Sequence, residues 1–484
     1  MNRRQFLQAS LGAAAGVALS RQPLGAGAAA VHGVSDEQPL KPAAATADAC
    51  ILIWLPGGVA QTDTWDPKRH TPYEKGMKGS QLLGTCPLIP TAADGIRFGA
   101  GLETIASVMD DGAVIRSIGS DVKFGAVHLK AQYYMKTGYL FPAGVKVPSM
   151  GAVVARSLGR KDPRVPAFID VGRDINAADQ EFTFINEYSG PGFYGAKHAP
   201  FMVPEPAQGM PTLSAVAGMK LDRLDRRQAY LQAVTGMSAL ELREANKVAD
   251  YMNVMEDARA MMDSPVKRAF DFAREEKPEV LKAYDVGHRF GHGCLLARRL
   301  IEVGARFVEV EYQYSAFRGF DMHENGKSRM KEMKAQIDRP IGTLVRELKE
   351  RGLLARTLVV VMTEFGRTIA NHPAAGGEPD GFAEKSDGAQ LSIDNEAMYG
   401  FHGHFSSCNA MLLFGGGIRP GLAYGKTADA HPMLAIENPV GVSDVHATIY
   451  RALGIPADHH YVTEGRPFYV TKDGKGKAIE AMFA

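Results

Sequence analysis

Cys50-Ile51-Leu52-Ile53-Trp54-Leu55, stopped by Pro56-Gly57-Gly58, is the stretch that decides the fold. A continuous apolar run ended by turn residues suits a strand covered on both faces. A sheet with one wet face would instead alternate apolar and polar. Similar short runs recur at 113–118, 165–171, 306–312, 357–362 and 411–414. Between them, apolar spacing near 3.6 predicts helices over 127–136, 149–158, 295–303, 324–353 and 443–453, with Ser443 as N-cap of the last. Buried strands alternating with helices predict an α/β domain with a largely parallel sheet and helices on both faces. Residues 218–290 break the pattern: they are charged, rich in Met and Ala, and helical in spacing. They are read as a helical insertion within one domain spanning 49–484.

The first thirty residues form a separate unit. Arg3-Arg4-Gln5-Phe6-Leu7 precedes a weakly apolar stretch rich in Ala and Gly, and Ala28-Ala29-Ala30 offers a cleavage site. That order is a twin-arginine signal peptide, so the expected partner at this end is the twin-arginine export machinery. The expected location is periplasmic or secreted. Residues 31–48, rich in Ala and Pro, read as a flexible linker. Removing residues 1–30 takes away three arginines and no acid, so the net charge falls from +1 to −2. Such a balance argues against nucleic acid or an anionic membrane surface as partner. No later run is long and apolar enough to predict a membrane span in the mature chain. The four cysteines, Cys50, Cys86, Cys294 and Cys408, are scattered, which argues against a zinc ribbon. An oxidising compartment permits a disulfide, but the sequence does not say which would pair.

In open α/β sheets, ligands bind beyond the carboxyl ends of the strands. After the first run come Asp63 and Asp66. After the run at 306–312 come Asp321 and His323. After 357–362 come Glu364 and Arg367, and before 411–414 come His402 and His404. Carboxylates and imidazoles at one rim suit a divalent ion: zinc, manganese, magnesium or calcium. The predicted metal ligands are Asp63, Asp321, His323, Glu364 and His404. Arg367 is predicted to hold a tetrahedral anion bidentately. Each element also has a structural reading. Asp63 and Asp66 suit caps of turns, Asp321 and His323 a cap with a surface histidine. Glu364 and Arg367 suit an ion pair, and His402 and His404 a loop. His128 suits packing, while Asp444 and His446 suit the first turn of a helix.

Several stretches together resemble the DUF1501 family of exported bacterial proteins, over almost the whole mature chain. They are Gly57-Gly58 with Asp63-Thr64-Trp65-Asp66-Pro67-Lys68, then Tyr134-Met135-Lys136-Thr137-Gly138, and Asp321 with His323-Glu324-Asn325. Further stretches are Cys294-Leu295-Leu296-Ala297-Arg298-Arg299-Leu300 with Gly304-Ala305-Arg306-Phe307-Val308, and Thr363-Glu364-Phe365-Gly366-Arg367-Thr368. His404 with Gly415-Gly416-Gly417-Ile418, and Ala447-Thr448-Ile449-Tyr450 with Leu453-Gly454-Ile455, complete the set. The resemblance implies an alkaline-phosphatase-like and sulfatase-like α/β fold. It also implies an exported, metal-assisted hydrolase acting on a small anionic ester of phosphate or sulfate. The alternative is a non-catalytic relative that binds a ligand or protein partner at the same rim. Met135-x-Thr137-Gly138 is similar to the segment after the sulfatase nucleophile. By that spacing His128 stands where a cysteine or serine would, which makes it a candidate catalytic residue. The sulfatase Asp-Asp after the first strand is Gly57-Gly58 here, and no formylglycine motif is present.

Overall fold

The computed structural model describes residues 40, 44–119, 127–141, 145–173, 189–210, 221–236, 255, 257–262, 264–369, 391–463 and 465–484. The signal segment 1–30 and most of the linker lie outside these residues. The central sheet is built from β1 (Ala49–Trp54), β2 (Gly112–Ile118), β3 (Phe168–Val171), β4 (Phe201–Val203) and β5 (Phe307–Glu311). It is completed by β6 (Thr357–Met362), β9 (Asn409–Phe414) and β10 (Leu422–Tyr424). A separate antiparallel hairpin pairs β7 (Gly366–Ile369) with β8 (Phe401–Phe405).

The order across the sheet is β10-β2-β9-β6-β1-β5-β3-β4. β1 lies parallel between β5 and β6, and β9 is antiparallel to both β2 and β6. The expected mostly parallel α/β sheet is therefore present, with β9 as its reversed strand. Reversal brings the entry of β9 to the edge where its neighbours exit, which places β8 there as well.

Burial on both faces follows from the apolar composition of β1. Ile51 and Ile53 join a core with Leu295 and Leu300 of α4 (Arg289–Glu302) and with Ile337, Ile341 and Leu344 of α5 (Gly326–Glu350). Cys50, Leu52 and Trp54 face the opposite core. That core contains Val153 of α2 (Met150–Leu158) and Ile449 of α6 (Val442–Leu453). At roughly 25 cal/mol per Å² of apolar surface, these two layers dominate the stability of the domain.

The structure departs from expectation at the starts of α4 and α6 and at the end of the linker. α4 begins at Arg289, with the His288 ring accepting from the Phe290 N–H at 3.2 Å, so it starts six residues before the spacing at 295 suggests. Gly441, not Ser443, is the N-cap of α6, and Ser443 lies inside the helix. The last linker residues are fixed rather than flexible: Thr46 and Ala47 donate their N–H groups to Ala452 O, and Ala47 is buried. The described parts of 218–290 are helix and turn, including α3 (Leu221–Gly236). The edge strands β4 and β10 and the β7–β8 hairpin lie outside the strands read from the sequence, since none of them carries an apolar run of four residues. All four cysteines are free thiols. No helix among the described residues is long and apolar enough to cross a membrane.

Candidate metal centre

Five loops and element ends meet beyond the carboxyl edge of the sheet. β1 exits into Gly57-Gly58, β5 into the loop carrying Asp321 and His323, and β6 into Glu364 and then β7 with Arg367. β8 carries His404. The first residue of α1 (His128–Thr137), which follows β2, is His128.

Asp321 is the centre. Its Oδ1 lies 2.9 Å from His128 Nε2, 2.8 Å from His323 Nε2, 3.6 Å from His404 Nε2 and 2.7 Å from Arg367 Nη2. Its Oδ2 accepts the Phe317 N–H at 2.8 Å. Ligand atoms of His128, Asp321, His323 and His404 all lie within 4.8 Å of one another. Three imidazoles converging with one carboxylate form the kind of donor set that binds zinc or a related transition ion. Burial pushes the Asp321 carboxyl upward, but hydrogen bonds from His128, His323 and His404 outweigh it. The group stays far below the usual carboxylate range and is fully ionised.

Glu364 is in contact with this group but outside it. Its Oε1 lies 2.6 Å from His128 Nδ1 and accepts the Gly57 N–H at 2.8 Å. Thr363 Oγ1 donates to its Oε2 at 2.9 Å. A carboxylate on the far nitrogen of an imidazole fixes the ring and leaves the other nitrogen aimed at the ion. Glu364, expected as a ligand, sits on the far nitrogen of His128, one contact away from the Asp321 carboxylate. His128, placed at a nucleophile position by resemblance, lies within the cluster of Asp321, His323 and His404. Burial opposes its protonation, yet hydrogen bonds to Asp321 and Glu364 raise its pKa above the ordinary value.

Arg367 is also not what its position suggested. Its side chain is fully buried. Nε donates to Gly58 O at 3.2 Å, Nη1 to Met322 O at 3.0 Å and His402 O at 2.6 Å, and Nη2 to Gly57 O at 2.5 Å and to Asp321. A guanidinium has five N–H groups, and all five are occupied, so none remains for a substrate anion. The double glycine makes this wrapping feasible. Gly57 has φ +112°, and a Cβ there would lie 2.6 Å from Asp321 N.

Asp63 lies outside the cluster of His128, Asp321, His323 and His404. Its Oδ1 accepts the Thr85 N–H and its Oδ2 the Thr85 hydroxyl, both at 2.7 Å. Both oxygens are used to pin the 85–86 turn, the structural reading of this residue. Asp66 likewise is held by Lys68 and Arg116, each at 3.6 Å. His402 accepts the Gly326 N–H at 2.9 Å and so caps α5, while His404 two residues on reaches the centre.

The chain is similar to a protein in the alkaline phosphatase superfamily from Vibrio parahaemolyticus. The two are 11% identical, with a TM-score of 0.38, covering 100% of this chain and 81% of that one. It is similar to the sulfatase PsFucS1 from Pseudoalteromonas sp., at 10% identity, 90% and 76% coverage and a TM-score of 0.37. It is also similar to the lipoteichoic acid synthase LtaP from Listeria monocytogenes, at 10% identity, 90% and 76% coverage and a TM-score of 0.36. No curated protein matches the chain. A twin-arginine translocation pathway signal sequence matches residues 1–20, which makes the protein periplasmic or secreted. The protein family of unknown function DUF1501 matches residues 47–483, and the chain belongs to that family.

Proposed function

We propose that this protein is an exported hydrolase of phosphate or sulfate esters, assisted by a divalent ion held by His128, Asp321, His323 and His404. The observation that carries this reading is the convergence of three imidazole Nε2 atoms and one carboxylate on a single point at the carboxyl edge of the sheet. Imidazole donors favour zinc over magnesium and calcium, which prefer all-oxygen shells, and the carboxylate leaves manganese as a second candidate. When bound, such an ion supplies the Lewis acidity that polarises a phosphoryl or sulfuryl oxygen and eases deprotonation of water.

The chain's own groups have separable roles. Asp321 gathers the imidazoles and keeps its charge at any working pH. Glu364 holds the His128 ring with Nδ1 toward itself and Nε2 toward the ion. Arg367 supplies a fixed positive charge beneath Asp321, so that the carboxylate is not a bare buried anion. In the overall reaction water adds to phosphorus or sulfur, the ester oxygen leaves, and the alcohol takes a proton.

A second reading, a binding protein built on the same rim, is favoured by one observation. Arg367, expected from the sequence to clamp an anion, has every donor turned to the protein itself. Protein folded and exported by its own route should retain about one zinc or manganese per chain, lost in the Asp321→Ala, His323→Ala double variant, and should cleave aryl phosphates or sulfates. Metal retained without turnover on either ester would support the binding protein. Absence of metal would remove both the ion and the hydrolase.

A further inference from the structure

Phe317 combines two unfavourable features at the metal centre. Its φ is +60°, in the left-handed region, where a bulky non-glycine residue is an outlier. Its side chain is 67% exposed, although an aromatic ring gains more from burial than most groups. Packing explains neither. The conformation is imposed from both sides: the N–H donates to Asp321 Oδ2 at 2.8 Å, and the carbonyl accepts from Arg329 Nη2 at 2.8 Å. Strain of this kind, held in place by a polar anchor, concentrates at functional sites.

The ring stands 5.0 Å from the ring of His323. Of the four ligating side chains His323 is the most open, at 36% exposed against 3% for Asp321. Phe317 therefore marks the side from which the ion is reached. Across the centre, Tyr314 lies 5.2 Å from His128 and packs with Tyr133, which in turn meets the 41%-exposed Phe141 at 5.4 Å. Aromatic rings thus extend outward from the imidazoles on two sides, and the outermost rings face solvent.

We infer that Phe317 is a specificity-determining residue that stacks on the organic group of the ester, so that ring-bearing esters are preferred to small alkyl ones. The inference rests on the metal-assisted reading of the site and names the class of alcohol it releases. An aromatic ring gains dispersion and area burial against another flat apolar face, and gains little against a methyl group.

The test is calorimetric binding of phenylphosphonate and methylphosphonate, which the protein does not have to turn over, to the mature zinc-loaded chain. Phenylphosphonate should bind about tenfold more tightly or better. Phe317→Gly suits the left-handed backbone and keeps the N–H to Asp321. It should erase most of that preference while zinc stoichiometry stays the same. Phe317→Tyr should keep the preference. An undiminished preference in Phe317→Gly, or none in the parent protein while zinc is bound, overturns this inference alone. Loss of zinc from Phe317→Gly also overturns it, because the ring would then be only a support for His323. A parent protein that binds no zinc overturns the metal centre and this inference with it.

Discussion

Glu364 and His128 meet through Oε1 and Nδ1 at 2.6 Å, 236 residues apart in the chain. This one contact sets the direction of the imidazole: with Nδ1 engaged, Nε2 is left 2.9 Å from Asp321. A residue after β6 thereby determines which ring nitrogen the first residue of α1 turns toward Asp321.

Glu364→Gln should weaken metal binding without removing it. The amide is a poorer acceptor, so His128 becomes a less basic and less firmly oriented ligand. A loss of about 10–100-fold in zinc affinity is expected, the usual range for an outer-shell carboxylate. His404→Ala, which deletes a ligating atom outright, should weaken it further. Competition with a chromogenic chelator measures both, and equal affinities in the three proteins would contradict the assignment.

Arg367 should prove a stability residue. Arg367→Met leaves Asp321 as a buried charge without its cation and four carbonyls without their donors. A cost of about 3–5 kcal/mol is expected. Arg367→Lys should recover little, since one ammonium cannot reproduce a planar fork. Urea unfolding of metal-free protein reads this directly. A lysine variant as stable as the parent would show that only the charge matters.

Asp63→Ala separates the turn from the metal centre. Thr85 loses the acceptor for its N–H and for its hydroxyl, at about 1–3 kcal/mol for groups left buried and unpaired. Zinc affinity should stay within error of the parent. A large fall in zinc affinity, with the fold intact by circular dichroism, would restore Asp63 to the ligand set.

His446 gives the fold a pH dependence independent of the metal. It is fully buried, and its Nε2 lies 2.8 Å from Met135 O, so that nitrogen carries the proton of the neutral ring. Burial pushes its pKa down to about 4, against an ordinary 6.5. The unfolded chain therefore binds a proton that the folded chain refuses between these values. Stability is complete above about pH 6.5 and falls as the pH drops toward about 4, by roughly 3 kcal/mol at most. His446→Phe should flatten this part of the profile in denaturant titrations from pH 7 to 4. An unchanged slope would mean another group is responsible.

Much of this was legible in the chain itself. The run Cys50 to Leu55 is apolar at every position, and a strand that excludes water on both faces follows from composition alone. Asp321 and His323 after β5, and Glu364 after β6, could be placed at the rim because strand ends are a local property. What the sequence could not supply is which rim groups point at one another. His128 joins Asp321 across 193 residues, Asp63 turns away to Thr85, and Arg367 is wrapped by the carbonyls of Gly57, Gly58, Met322 and His402. Periodicity reports how each segment partitions between water and core. The direction of a side chain at a loop depends on strand register and on backbone donors and acceptors from distant segments, so only the tertiary structure decides it.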